Sequence, residues 1–431
     1  MNSPKVAVIG AGPAGLTLAR LLQCHDIPCT VFEYEKTIDA RDQGGTLDLH
    51  ENGGLLALKE AGIYEVFLKH ARPEGEVLKI YLPDDQLIMD EGKNADQARP
   101  KEMHGRPEID RIKLRTMLLE SLKPGTVQWG HKLRKVESSG EGPSERTFAL
   151  HFQHRVEAGF DLVVGGDGAW SRVRPLCTSE KPFYSGIAGY DVRILDADNT
   201  QPALAERCGH GMCLTLGPNR GILSQKNGDG TIRTYGFMRA AETWEEDSGI
   251  DFKDPDTALA DFIDQFYSDW AQDAKDLILK ADRGTAVPRK MYMLPVGLRW
   301  ESQPGVTVIG DAAHVMTPFA GVGVNVAMQD SLELSRQIIS RKDQWTSKAE
   351  QRLSLAAGIA AYEAEMFDRA ERYAKKTIMY LDLFFHHRGG VAMVEHFDRV
   401  KAIEKAQCED GATKEALQER VRTAQEVGST G

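Results

Sequence analysis

The segment Val6-Ala7-Val8-Ile9-Gly10-Ala11-Gly12-Pro13-Ala14-Gly15 constrains this chain more than any other. Its unbroken apolar start fits a parallel strand buried on both faces. The glycines then spell G-x-G-x-x-G, and Leu16, Ala19, Leu21 and Leu22 follow among helix formers. A second apolar run, Cys29-Thr30-Val31-Phe32, ends at Glu33, 18 residues after Gly15. Strand, glycine turn, helix and strand make the unit that binds a dinucleotide. Gly10 permits the tight turn, Gly12 lets the backbone approach a pyrophosphate, and Gly15 lets helix and strand pack closely. Ala14 belongs to the same turn, where the helix N-terminus faces phosphate charge. Glu33 is placed to accept hydrogen bonds from ribose hydroxyls.

Two more apolar runs, Leu162-Val163-Val164 and Val306-Thr307-Val308-Ile309, are each followed closely by a glycine and an aspartate. They read as strands of the same sheet, so the nucleotide domain is expected to be discontinuous. Between residues 183 and 283 the texture changes. Gly221–Lys226 and Thr231–Phe237 flank Asn227-Gly228-Asp229-Gly230, a hairpin signal. Asp256 to Asp276 reads as one helix, with Leu259, Phe262, Ile263 and Phe266 on one face. Beyond residue 350, Ile359, Tyr362, Met366, Ala370, Tyr373, Leu381 and Phe384 form a helical stripe. Glu365–Arg369 and Glu371–Lys375 are spaced as i,i+4 pairs on that helix. The expected fold is α/β: a Rossmann-type domain over 1–182 and 284–345, with an inserted, mainly antiparallel substrate domain over 183–283. Residues 74–105 are a candidate contribution to the substrate domain, and 346–431 form a C-terminal helical region.

Composition narrows the function classes. Lys and Arg number 53 against 64 Asp and Glu, a net charge of −11, with no basic cluster. That argues against a nucleic-acid binder and a polybasic membrane anchor. No run approaches the roughly 20 apolar residues of a membrane span. The start, Met1-Asn2-Ser3-Pro4-Lys5, has no signal-peptide pattern, so a cytoplasmic protein is expected. The six cysteines include no Cys-x-x-Cys pair, and neither a metal site nor a disulfide framework is expected.

Two later motifs decide which dinucleotide is meant. Gly310-Asp311-Ala312-Ala313-His314 is followed by Pro318-Phe319-Ala320-Gly321-Val322-Gly323-Val324-Asn325. A strand-end aspartate can accept hydrogen bonds from ribityl hydroxyls. Gly321, Gly323, Val324 and Asn325, at a helix start, can bring backbone N–H groups to a flavin edge. The other motif is Asp167-Gly168-Ala169-Trp170-Ser171-Arg172-Val173-Arg174. In this order the three motifs resemble the FAD-dependent aromatic-hydroxylase family, the single-component (class A) flavoprotein monooxygenases, over about three quarters of the chain. Gly44-Gly45-Thr46-Leu47-Asp48-Leu49-His50 and Pro107-Glu108-Ile109-Asp110-Arg111 make it look closest to the tetracycline-inactivating branch.

The resemblance implies that Gly310, Asp311 and Asp48 contact FAD, Glu33 its adenosine ribose, and Arg111 the flavin's polar chain. It places Arg41 near the ring or an incoming nicotinamide, and links Asp167 and Arg174 to both FAD and NAD(P)H. Pro318, Phe319 and Gly321 would wall the reaction cavity. It further implies reduction of the flavin by NADPH or NADH and reaction with O₂ to a C4a-hydroperoxide. One oxygen atom would then enter an aromatic or polyketide-like small molecule. No general base is assigned. The substrate does not transfer with the chemistry: Thr234 aligns with the branch's tetracycline-holding histidine, and no arginine matches near Met212 and Cys213. Alternatives are a same-fold flavin enzyme of reductase or Baeyer–Villiger type, or a non-catalytic flavin-binding sensor. No tryptophan lies in the Trp-x-Trp-x-Ile-Pro segment of flavin halogenases. His314 reads as structural, and Arg115 as a surface charge.

Overall fold

The computed structural model describes residues 3–40, 44–92, 106–403 and 405–406. Arg41, Cys408 and the stretches 93–105 and 407–431 of the expected domain ranges lie outside the described residues. Val6–Ile9 is buried throughout and becomes the centre of a five-stranded parallel sheet. Leu162–Gly165 and then Val306–Val308 lie on one side of it, Cys29–Phe32 and Val127–Gln128 on the other. Three widely separated parts of the sequence thus meet in one sheet. The helix Pro13–Cys24 follows the first strand, and Gly323–Ile339 packs against it.

A seven-stranded sheet stands beside this body. Its order runs Val287–Met293, Phe183–Ile194, Ile232–Arg239, Arg220–Lys226, Met212–Gly217, Leu78–Tyr81 and Leu87–Asp90. All neighbours are antiparallel except Met212–Gly217 with Leu78–Tyr81. The sheet therefore extends past residue 283, where its domain was expected to end, because Val287–Met293 pairs with Phe183–Ile194. One face is covered by helices through Tyr190, Phe262, Tyr267 and Leu277. The other meets Phe319, Phe384 and Phe385 through Leu214, Leu216 and Phe237.

The expected single helix over Asp256–Asp276 is two, Pro255–Tyr267 and Gln272–Leu279. The break falls where Trp270 turns inward, edge-on to Tyr267, and the Ala271 N–H donates to the Pro83 carbonyl at 2.8 Å. The long helix Lys348–Phe384 buries Ile359, Tyr362, Met366, Ala370, Leu381 and Phe384 of the expected stripe, while Tyr373 is only half-buried. Of its expected ion pairs, Glu371–Lys375 forms at 2.7 Å. Glu365–Arg369 does not, because Arg369 turns inward to Asp330 and Glu333.

Asp330 is the node of that buried contact. One carboxylate oxygen accepts from the Gly310 N–H at 2.8 Å and the His314 Nε2 at 2.6 Å, and the other from Arg369 at 2.8 Å. It fixes the strand end, the short helix Asp311–His314 and the long helix to one another. Burial opposes the His314 charge, but the Asp330 carboxylate outweighs it and raises His314 above its ordinary value. A raised pKa adds stability that is complete below the unfolded value of about 6.5 and is lost as pH rises through the folded value. The wild-type melting temperature should therefore fall as pH climbs through that window, and His314→Gln should lower the acid-side value and flatten the slope. Parallel wild-type and variant profiles would show that His314 carries no such charge.

Candidate active site

The glycine turn separates protein packing from space left for something else. A Cβ on Gly10 would lie 2.3 Å from the Gly166 carbonyl oxygen, and one on Gly15 would lie 2.1 Å from that of Gly10. Packing alone explains both. Gly12 is different: its φ of −81° suits any residue, and no heavy atom lies within 4 Å of an added Cβ. Gly323, the first residue of its helix, is equally open. Neither helix has a side-chain cap or an acidic residue in its first turn. Both N-termini keep unpaired amides and positive dipole ends. The first turn of Pro13–Cys24 packs over Gly310 against the second and third turns of Gly323–Ile339: an added Cβ on Gly310 would touch Ala14 and Ala327, and Ser331 donates to the Ala14 carbonyl at 2.8 Å. Two open, uncapped helix starts around one strand end fit a ligand with a pyrophosphate and a second electron-rich portion.

The side chains divide into those with partners and those without. Glu33 accepts from the Ala11 N–H at 2.6 Å and the Glu35 N–H at 2.9 Å, so it shapes the glycine turn while each oxygen keeps acceptor capacity. Asp311 is exposed at the strand end and has no hydrogen-bond or ion-pair partner among the described residues. Asp48 pairs with His50 at 2.8 Å, and its carbonyl accepts from Asn325 at 2.8 Å. The Asn325 amide oxygen takes the N–H groups of His50 and Gly54 at 2.7 and 3.1 Å. Its side chain therefore seats the Asp48 segment, leaving only its backbone for a ligand. Val324 lies between, and Gly321 borders Asp48, whose Oδ1 would be 3.7 Å from an added Cβ. Arg111 opens its helix, its N–H donating to the Gly45 carbonyl at 3.0 Å.

Asp167 accepts from Ser171 Oγ and the Arg172 N–H, both at 2.6 Å. Burial raises its pKa against those hydrogen bonds. Arg174 donates to the carbonyls of Ala312 and Ala169 at 3.0 and 2.8 Å, so it staples two motifs together. Phe319 is buried beside Phe384 and Phe385, with ring centres 5.3 and 5.1 Å away, while Pro318 is exposed. Trp170 is 62% exposed, edge-on to Tyr292.

Two residues carry more than the sequence indicated. Arg115 is 2% exposed and donates to the Ala11 carbonyl at 2.8 Å and to Glu35 at 2.9 Å. It locks the glycine turn to the end of the second strand. Its place beside Leu114 and Leu118 on the buried helix face was the available signal. Glu108, beneath the Thr46–Asp48 strand, accepts from Thr46 at 3.2 Å and from Gln225 of the seven-stranded sheet at 3.2 Å. Burial pushes its carboxyl up to about 7, against Arg72 and Thr46, which favour the charged form. Thr234 is corrected by the register. It is buried on the helix-covered face with its Oγ1 2.8 Å from Ser224 Oγ, so it cannot stand where a substrate-holding histidine would.

Among the described residues no group of three or more His, Cys, Asp or Glu could hold a metal ion, and no helix is long and apolar enough to cross a membrane. Residues 3–375 match the model of the FAD binding domain family. Monooxygenase penA of Penicillium thymicola is 31% identical, over 89% of this chain and 96% of that protein. Monooxygenase asqM of Emericella nidulans is 30% identical over the same shares. Among solved structures, Klebsiella pneumoniae HpxO complexed with FAD and uric acid superimposes with a TM-score of 0.69 at 20% identity, over 89% of this chain and 89% of that one. Tetracycline destructase Tet(51) gives 0.64 at 16% identity, over 94% and 97%. The chain belongs to the FAD binding domain family and is an FAD-dependent monooxygenase of the aromatic-hydroxylase type.

Proposed function

We propose that the chain is an NAD(P)H-consuming enzyme that places one oxygen atom from O₂ on an aromatic or polyketide-like small molecule. The observation that carries this reading is the pair of open, uncapped helix starts at Gly12 and Gly323. In it, the amides after Gly12, with Ala14, receive the pyrophosphate, and Gly10 and Gly15 shape the turn. Glu33 takes the ribose, Gly310 and Asp311 the ribityl chain, and the backbone from Gly321 through Gly323, Val324 and Asn325 the ring edge. Asp48 contacts the flavin and Arg111 its polar chain, and Asp167 serves indirectly, by shaping the turn below. Bound FAD would supply hydride acceptance from NADPH or NADH and the activation of O₂.

The protein's own contribution is positional. Backbone amides meet the phosphate charge without a counter-ion. Asn325 holds the Asp48 segment against the Gly323 helix, which sets where that segment's edge lies. Pro318, Phe319 and Gly321 wall the reaction space, with Phe319 backed by Phe384 and Phe385 to keep water from the reacting centre. No side chain is required to move a proton in this arrangement.

Gly12→Ala tests the cradle cleanly. Backbone and packing both accept alanine there, so the flavin-free protein should melt within about 1 °C of wild type. FAD affinity should fall about tenfold or more, because the added Cβ holds the pyrophosphate away from the turn's N–H groups and weakens a charge-assisted hydrogen bond; unchanged affinity would remove the phosphate from Gly12. Asp311→Ala should likewise release FAD on gel filtration, and full flavin occupancy would refute the ribityl contact. Activity is tested by screening phenols and polyketides for substrate-stimulated NADPH oxidation under ¹⁸O₂. Product labelled with one ¹⁸O supports the reading; NADPH oxidation with unlabelled product rejects oxygen insertion.

A further inference from the structure

The seven-stranded sheet shows one face to helices and the other to the segments that carry the flavin motifs. Side chains alternate between faces along a strand, so residues two apart share one. On Ile232–Arg239, Arg233 donates to the Gly44 carbonyl, and Phe237 stands edge-on to Phe319 with ring centres 6.4 Å apart. Gly44 precedes the Asp48 strand, and Phe319 precedes the Gly323 helix. Tyr235, between Arg233 and Phe237, therefore faces the space between those two segments.

Its surroundings change character across the strands. The register sets Asp191, Tyr235, Leu223, Leu214 and Ile80 side by side in one row. On the Asp191 side the face is charged. Arg233 grips the buried Asp191 carboxylate at 3.0 and 2.6 Å, and Arg289 adds a contact at 3.3 Å. On the Leu223 side it is apolar, continuing into Leu216, Phe237 and Phe319. Tyr235 sits on the border. Its ring stacks on Phe237, with centres 5.2 Å apart and planes 19° apart, and the Arg233 guanidinium lies 5.1 Å from its centre. Its hydroxyl has no hydrogen-bond partner among the described residues and is not among the fully buried unpaired polar atoms.

We infer that Tyr235 is a specificity-determining residue whose hydroxyl hydrogen-bonds one polar group of a planar aromatic substrate lying on the apolar part of this face. The inference rests on the monooxygenase reading and names its substrate class: a flat aromatic ring bearing one hydroxyl or carbonyl at the edge turned toward Asp191 and Arg233. Ring contact comes from Phe237, Phe319 and Leu214, and the polar group partners the phenol hydroxyl. Burial raises the Tyr235 phenol above its ordinary value, with the nearby Arg233 opposing, so near neutral pH it stays a neutral hydroxyl able to donate. A site built around one hydrogen bond rejects the analogue that lacks the partner.

The test uses the FAD-loaded protein with 1-naphthol and naphthalene as probes, titrated by perturbation of the flavin absorbance. Comparing the naphthalene-to-naphthol Kd ratio between proteins cancels the probes' different hydrophobicity. Tyr235→Phe, which keeps the ring stack, should cut that ratio about tenfold while leaving naphthalene within about twofold, the share of one buried hydrogen bond. Tyr235→His, which restores a donor, should recover part of the ratio. A Tyr235→Phe ratio within about twofold of wild type would overturn the role of the hydroxyl. Failure of both probes to perturb the wild-type flavin would overturn the substrate class. The monooxygenase reading is scored separately, by ¹⁸O incorporation with whichever substrate stimulates NADPH oxidation, and can stand if Tyr235 falls.

Discussion

Two helices that begin without caps govern this molecule. A helix start leaves amide donors unpaired, and most chains satisfy them with a Ser, Thr, Asp or Asn side chain. Here neither Pro13–Cys24 nor Gly323–Ile339 does so, and the residues at their starts, Gly12 and Gly323, open onto empty space. The two helices are held together by tight packing at Gly310, against Ala14 and Ala327, and by the bond from Ser331 to the Ala14 carbonyl. Other helices, Arg111–Glu120 among them, are also uncapped; the open space at Gly12 and Gly323 is what suits these two starts to an anionic, hydrogen-bond-accepting ligand. The family match over residues 3–375 identifies that ligand as FAD.

Around this cleft the buried charges act as braces. Arg115 ties the glycine turn to Glu35, Arg174 joins Ala169 to Ala312, and Asp330 joins Gly310, His314 and Arg369. Each is buried and each reaches between segments far apart in sequence. A buried charge pair contributes little net stability but is costly to break, so such braces fix position more than they add stability. Glu108 does the same between bodies, linking the Thr46–Asp48 ribbon to Gln225 of the second sheet. That contact sets how far the sheet face bearing Tyr235 stands from the flavin segments.

Much of this was legible in the sequence where one short run carried the information. Val6–Ile9 with its glycines, the Gly310-Asp311 segment and the Asn227–Gly230 turn all announce local structure through local chemistry. What escaped was set by partners distant in the chain. Arg115 looked like surface charge because its partners, Ala11 and Glu35, lie some eighty to a hundred residues away. Arg369 could have paired with Glu365 by spacing, but Asp330 on a neighbouring helix took it. Thr234 illustrates the period of two: a one-residue slip in alignment moves a side chain to the opposite face, and only the register shows that Tyr235 looks toward the flavin segments.

On the proposed reading the cleft holds both halves of a dinucleotide, one at the Gly12–Glu33 end and the other at the Gly310–Asn325 end. Calorimetric titration of the flavin-free protein with FAD and with FMN decides whether it does. One FAD should bind per chain, with FMN at least about tenfold weaker because it lacks the adenosine half proposed to reach Glu33. FMN binding as tightly as FAD, or no heat of FAD binding, would contradict it.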